Sequence, residues 1–439
     1  MARIAVLVIG HPDYPQARGL QAAEGMAAWL RQQGVEVDVA PEPVVTHDRA
    51  AAAAREIARG LYDGVVYLMA SWLECPTAVA AIRELEHLPF ALWGFGQYEE
   101  GGKPTSSGSM VGLVVLKATL ERMAYRFAWA LGDESDEGAQ ATLLDFARVA
   151  GAMAQLKRTR IGLVGYASMG MYPGTIDHVL ARRWVGPETV HLDTYTLVNR
   201  MGRVDDAAVE QFAKRCRELA DVAPECSPDK LRLAGQMYVA LRELVREQQL
   251  DAVNVKCQYE LSKELGCTAC LALSVMADYG IVCACEGDMP LAVSMCLLDA
   301  LTATRVTYGD LLDVSGDELL LSSCGFIPPS LAAGRPRVVP HTHEGFAGPL
   351  VSAVSRPEPV TLLRLFETQG GHGLHAAEAQ GLPSELRMGR FPALSVRLGG
   401  DAGAFLGHAK SQHYAFATGH WLGALRLYAQ LAGFELVAD

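Results

Sequence analysis

Ile4-Ala-Val-Leu-Val-Ile9 is the run on which the fold turns. Six apolar residues, four of them β-branched, are too few for a secretion-signal core with its cleavage site and fit a strand buried on both faces. Reading outward, an amphipathic stretch Leu20–Gln33 follows, then a second strand-like run Val35–Val39, the Ala-rich Arg49–Leu61 and a third run, Gly64–Met69. Strand-like and helix-like segments in alternation predict parallel α/β units. Gly34 closes the first helix and Gly64 opens the third strand, where turns call for permissive dihedrals. A fourth strand, Phe90–Trp93, leads into the loop Gly94–Ser109, placed where open α/β sheets bind ligands.

One long helical stretch is read from Gly112 to Leu156. A second start follows at Arg160-Ile-Gly-Leu-Val-Gly165, then Thr189–Leu192, a helix over Pro228–Gln249, the strand Ala252–Val255, a helix over Thr268–Tyr279 and the strand Ile281–Ala284. From Pro336 the pattern changes to short β-like runs, including Val360–Phe366 and Leu394–Arg397, closed by a helix over Trp421–Ala432. The expected fold class is α/β: two Rossmann-like doubly wound domains, 1–156 and 157–335, then a β-rich C-terminal domain, 336–439. Neither α/β half carries GxGxxG after its first strand, so a nicotinamide site has little support.

A chain of 439 residues, half of them hydrophobic and a fifth charged, is a compact globular protein. Its net charge of −12 disfavours nucleic acid, which is held by Lys and Arg clusters. No apolar run approaches the roughly 20 residues that span a bilayer, so a cytoplasmic protein is expected. Ten cysteines include the close pairs Cys267/Cys270 and Cys283/Cys285, a spacing that zinc can use; their Ala/Leu/Val-rich surroundings favour small buried hydrophobes instead.

Chemistry gathers at two strand ends. Lys256-Cys-Gln-Tyr-Glu260 collects Lys256, Gln258 and Glu260 directly after an apolar strand, and Cys285-Glu-Gly-Asp288 places Glu286 and Asp288 after the next. Polar groups at the carboxyl ends of neighbouring parallel strands point into one crevice. Alone, Asp288 ahead of Met-Pro-Leu also reads as a helix N-cap. His341-Thr-His343 would set two rings on one face of a strand, and Trp93, Phe95 and Tyr98 offer stacking faces in or beside the Gly-rich loop.

The runs Lys256–Glu260, Cys285-Glu-Gly-Asp-Met-Pro-Leu-Ala-Val-Ser-Met295 and Gln412-His-Tyr-Ala-Phe-Ala417 resemble the three metal-site segments of the L-fucose/L-arabinose isomerase superfamily, in order and placement. The loop ending Thr105-Ser-Ser-Gly-Ser109 is similar to a segment that borders the active site there. The resemblance implies an aldose–ketose isomerase acting on a pentose or a modified hexose through a cis-enediol. It implies Mn2+, with Mg2+ or Co2+ as substitutes, held by Glu260, Asp288 and His413, with the two acids also catalytic. His343 and His420 are the alternative imidazoles. Lys256, Gln258, Glu286, Trp93, Tyr98, Ser109 and His343 are expected around the sugar, and a homotrimer or homohexamer sharing its sites between subunits is implied. Two carboxylates suit proton transfer between C1 and C2, and a cation chelated by O1 and O2 would stabilise the enediolate. Which acid is the base and which sugar is used, one with an anionic C6 group such as a sulfonate included, stay open. A non-catalytic sugar-binding or regulatory protein on the same scaffold is the competing reading.

Overall fold

The computed structural model describes residues 2–342 and 345–439. They fall into two compact units, 2–154 with 423–433, and 155–422 with 434–439.

The first unit is built on a parallel sheet whose strands run, edge to edge, Glu36–Val39, Arg3–Ile9, Gly64–Met69, Phe90–Gly94 and Ala128–Leu131. Every residue of Ile4–Ile9 and of Gly64–Met69 is buried, as expected of central strands covered on both faces. Gly64 is needed for space rather than for its dihedrals: a Cβ there would lie 3.0 Å from both Ala150 Cβ and the Phe146 ring. The long helix expected from Gly112 to Leu156 is two helices, Ser109–Arg122 and Glu137–Arg158, separated by the strand Ala128–Leu131. The helix-favouring Ala and Leu of Ala128-Trp-Ala-Leu131 concealed a period of two, in which Ala128 and Ala130 are buried and Trp129 and Leu131 exposed.

The second unit opens with a four-stranded parallel sheet in the order Val282–Cys285, Ala252–Val255, Arg160–Val164, Glu188–Leu192. The strands over Ala252–Val255 and Arg160–Val164 lie where the sequence placed them. The β-rich part begins earlier than Pro336, at Val306–Ser315 and Glu318–Ser322, because Asp310 and Asp313 interrupt the apolar pattern of the first of these strands. These two strands join Ala393–Leu398, Gly371–Leu382, Pro359–Thr368 and His413–Thr418 in an antiparallel ring. Ten residue pairs between Pro359–Thr368 and Gly371–Leu382 close it into a barrel. The strand Glu435–Ala438 pairs in parallel with the free end of Gly371–Leu382. The architecture is thus α/β with parallel sheets and a β-rich C-terminal sheet.

Leu319, Leu321, Leu362, Ala377, Val396, Phe405, Tyr414 and Phe416 pack together in the barrel core. On the strand His413–Thr418 successive side chains alternate in direction, so Tyr414 and Phe416 enter that core while His413 faces the other way. The helix Met289–Thr302 packs against this strand and against Pro359–Thr368. It carries Asp288, its N-cap, to the same place. Among the described residues no helix is long and apolar enough to cross a membrane.

Candidate active site

The turn Cys285–Asp288 is held in an unusual shape. Glu286 and Gly287 both have positive φ, 65° and 70°, which is costly for a glutamate. Gly287 admits no side chain, since a Cβ would lie 1.9 Å from the Tyr166 carbonyl oxygen. Asn254, on the neighbouring strand, clamps the turn: its Oδ1 accepts from the Gly287 N–H at 3.1 Å and its Nδ2 donates to the Asp288 carbonyl at 2.8 Å. The Ser168 N–H donates to the Glu286 carbonyl at 2.9 Å. The backbone of the turn is thereby paired, and Glu286 and Asp288 project from a fixed base.

Asp288 is fully committed. Its Oδ1 caps the helix through the Leu291 N–H at 3.0 Å, and its Oδ2 receives Arg364 Nη1 at 2.7 Å and His413 Nδ1 at 2.8 Å. Arg364 and Asp288 are each about 1% exposed, and Arg364 Nη2 also donates to the Pro173 carbonyl at 2.6 Å. Burial alone would raise the Asp288 pKa. The Arg364 charge and the His413 hydrogen bond overcome it and hold the group down to about 2. The carboxylate is therefore charged at neutral pH and fixes the direction of the imidazole, as an outer carboxylate does for a metal-bound histidine.

His413 is itself buried, and its Nε2 has no hydrogen-bond partner among the described residues. Two carboxylates face that atom. Asp310 Oδ1 lies 3.1 Å away, at ion-pair distance but off the hydrogen-bond line, and Glu286 Oε2 lies 3.7 Å away. Antiparallel register pairs Asp310 directly with His413. Burial works against a charged imidazole, yet the surrounding carboxylates raise the His413 pKa to about 10. Burial raises the Glu286 pKa, against the pull of His413, and the Cys324 thiol donates to Glu286 Oε1 at 3.5 Å. An orphaned imidazole nitrogen between two carboxylates, with its other nitrogen anchored, fits a divalent cation.

Of the residues expected from sequence, Asp288, His413 and Glu286 come together. Glu260 lies outside their contacts: its side chain is 47% exposed and pairs with Lys256 Nζ at 3.0 Å. Slight burial favours a higher pKa for Glu260, but the Lys256 hydrogen bond prevails and lowers it. Tyr259, just before it, has φ 69° and ψ −80°, and the Glu260 N–H donates to the Gln258 carbonyl at 3.1 Å. This strained γ-turn swings Glu260 outward. Gln258 is buried with its Nε2 unpartnered among the described residues. The exposed ring nitrogen of His420 meets Glu378 at 3.2 Å, away from His413, and His343 lies outside the described residues.

In the first unit, Trp93 is fully buried with its Nε1 donating to the Gly132 carbonyl at 2.8 Å. Ser109 Oγ is buried between the Met69 carbonyl and the Phe95 N–H. Neither leaves a face for a sugar. Tyr98 begins the short hairpin strand Tyr98–Glu100, half-buried beside Phe95. The ten cysteines are free thiols, with Cys267, Cys270, Cys283 and Cys285 all buried.

Asp310 and Arg364 went unnoticed in the sequence. Arg364 had a readable signal, a lone cation in the apolar strand Val360-Thr-Leu-Leu-Arg-Leu-Phe366, since a charge buried there needs an opposite partner. Asp310 had none, because its role comes from cross-strand register.

No family model matches the chain. It is 26% identical to a sulfoquinovose isomerase of Alkalicoccus urumqiensis over 348 residues, covering 77% of this chain and 76% of that protein. A sulfoquinovose isomerase of Priestia aryabhattai is 21% identical over 365 residues, covering 81% and 80%. Among solved structures, an ABC transporter solute-binding protein from Burkholderia multivorans covers 69% of this chain and 94% of its own at 10% identity, with a TM-score of 0.20, too low to bear on the fold. The relatives place the chain among enzymes, as a sugar isomerase. These relatives agree with the resemblance to the L-fucose/L-arabinose isomerase superfamily carried by its three segments.

Proposed function

We propose that the chain is a metal-dependent aldose–ketose isomerase whose substrate is a hexose with an anionic C6 group, sulfoquinovose being the first to test. The observation that carries the metal part of this reading is the unpartnered, buried His413 Nε2 facing Glu286 and Asp310. The substrate part rests on the sulfoquinovose isomerases to which the chain is similar.

In this reading His413, Glu286 and Asp310 hold the cation, with Mn2+ the expected ion and Mg2+ or Co2+ as substitutes. Asp288 is the group behind His413, accepting its Nδ1–H so that Nε2 can give up its own proton to present a lone pair to the cation. Arg364 keeps Asp288 ionised. When bound, the cation supplies Lewis-acid polarisation of the sugar's O1 and O2. Glu260 is the proposed base: a carboxylate kept ionised by Lys256 and open to a ligand takes the C2 proton and returns it to C1, by way of a cis-enediol, while the O2 hydroxyl proton passes to O1. Lys256 and Gln258 are proposed to hydrogen-bond sugar oxygens. The three-domain plan belongs to the same reading, with the last boundary drawn ahead of Val306. So do a cytoplasmic location and a homotrimer or homohexamer with shared sites.

The test is to strip the protein with a chelator, restore Mn2+, and assay sulfoquinovose beside unmodified aldoses for ketose formation and for deuterium entry at C2 in D2O. Mn2+-dependent turnover of sulfoquinovose, lost in Glu286→Gln and Glu260→Gln, is expected. Turnover that survives exhaustive chelation would remove the metal. Turnover of plain aldoses with none of sulfoquinovose would remove the anionic substrate.

A further inference from the structure

We propose that His375, His408 and Asp439 form a second divalent-metal site, at the mouth of the barrel, of the kind two imidazoles and one carboxylate make for Zn2+. One ligand atom from each residue lies within 4.8 Å of the other two. Their elements are distant in sequence: His375 is on the barrel strand Gly371–Leu382, His408 ends the helix Ala402–His408, and Asp439 follows the strand Glu435–Ala438. His375 shares a strand face with Ala377 and Ala379, both part of the barrel core.

The donor set is chemically suited to Zn2+. His375 Nε2 is 2.7 Å from Asp439 Oδ2, and His408 Nδ1 is 2.9 Å from Asp439 Oδ1. Tetrahedral ligands at zinc distances are separated by roughly 3.3 Å, so the trio needs to open by about half an ångström. His408, half-exposed, can supply that movement and gives an ion its way in. His375 is fixed from behind, its Nδ1 hydrogen-bonded to Tyr414 Oη, which also accepts from the Lys410 N–H at 3.2 Å. An ion that displaces the proton shared between Nε2 and Asp439 would find the Nε2 lone pair free while Nδ1–H donates to the phenol oxygen, the outer arrangement that metal-binding histidines use. The Phe405 ring, 4.6 Å from that of His375 between centroids, closes the apolar side.

This site is distinct from the one around His413. Tyr414 and His413 are adjacent and point to opposite faces of one strand, so the two clusters lie on either side of it. The consequence of the second site is mechanical: an ion there would fasten the helix Ala402–His408 and the strand Glu435–Ala438 to the barrel. The inference does not depend on the isomerase reading.

The experiment uses the full chain, freed of metal with a chelator and then supplied with Zn2+ alone. Metal content after dialysis and thermal melting are measured for wild type, Glu286→Gln, His408→Ala and Asp439→Asn. Wild type should retain one equivalent more than His408→Ala. Zn2+ should raise the melting temperature by a few degrees in Glu286→Gln, where the His413 cluster is impaired, and this rise should be lost when His408→Ala or Asp439→Asn is added to that variant. A Co2+ spectrum of tetrahedral type, present in Glu286→Gln and absent in His408→Ala, should accompany it. His408 is half-exposed, so its loss leaves the fold intact. Equal stoichiometry and equal melting response in wild type and His408→Ala would overturn the proposal and leave the trio a hydrogen-bonded cluster only.

Discussion

The two acidic turns of the second unit end neighbouring strands of one sheet, yet they are built oppositely. After Val282–Cys285 the chain makes two left-handed residues, is clamped by Asn254, and buries Glu286 and Asp288 among Arg364, His413 and Asp310. After Ala252–Val255 it makes a strained γ-turn and leaves Glu260 half in solvent, paired with Lys256. Cys257 and Cys285 touch at 3.3 Å between Sγ atoms, so the backbones start side by side and diverge within three residues. The difference teaches that one turn supplies fixed charge and the other an accessible carboxylate. A site that must hold an ion and also move a proton needs both.

The largest expected effect comes from removing the charge that supports the buried turn. Arg364→Met strips the guanidinium from buried Asp288 and leaves it to His413 and the Leu291 N–H, which costs about 3–5 kcal/mol and should appear as a lower denaturation midpoint together with near-complete loss of turnover. Wild-type stability in that variant would mean that the Asp288 carboxylate does not rely on Arg364. Next, Glu286→Gln should weaken Mn2+ binding by calorimetry at least tenfold while folding is retained, whereas Glu260→Gln should leave Mn2+ binding far less affected and remove C2 exchange. The reverse pattern would return the metal to Glu260, where the family resemblance first put it. Acid titration separates the two turns again. Asp288 has a depressed folded pKa of about 2, so its stabilisation is present above its unfolded value and lost as pH falls from about 4 through about 2, an effect on the order of 2 kcal/mol. Asp288→Asn should flatten that part of the stability profile. The smallest effect is that of Glu260→Gln on stability, within about 0.5 kcal/mol for an exposed ion pair, as read from denaturation midpoints.

The sequence revealed the parallel strands through their unbroken apolar runs, and the two acidic strand ends through polar residues packed directly after them. It could not distinguish the roles of Glu286 and Asp288, because both follow the same strand and only the dihedrals of Glu286 and Gly287 decide which carboxylate meets Nδ1 of His413 and which faces Nε2. Asp288 was recognised as a possible N-cap, and it is one; that it also orients an imidazole is a tertiary fact. Asp310 was invisible because register, not local pattern, brings it to His413. Trp93 and Ser109 show the opposite error: an aromatic and a hydroxyl near a glycine-rich loop invite a ligand reading, while their hydrogen-bonding groups are spent on carbonyls of their own unit.

The bond between Asp288 and His413 spans 125 residues of chain, and that between Arg364 and Asp288 spans 76. The Asn254 clamp spans only 34. Ribosomes add about 5–20 residues per second, so a nascent chain carries Asp288 for roughly 6–25 s before His413 is made. During that interval the clamped turn can exist, but its histidine and arginine cannot both be in place. The cluster around His413 is therefore completed late in synthesis, dependent on the closure of long-range strand pairs that form slowly.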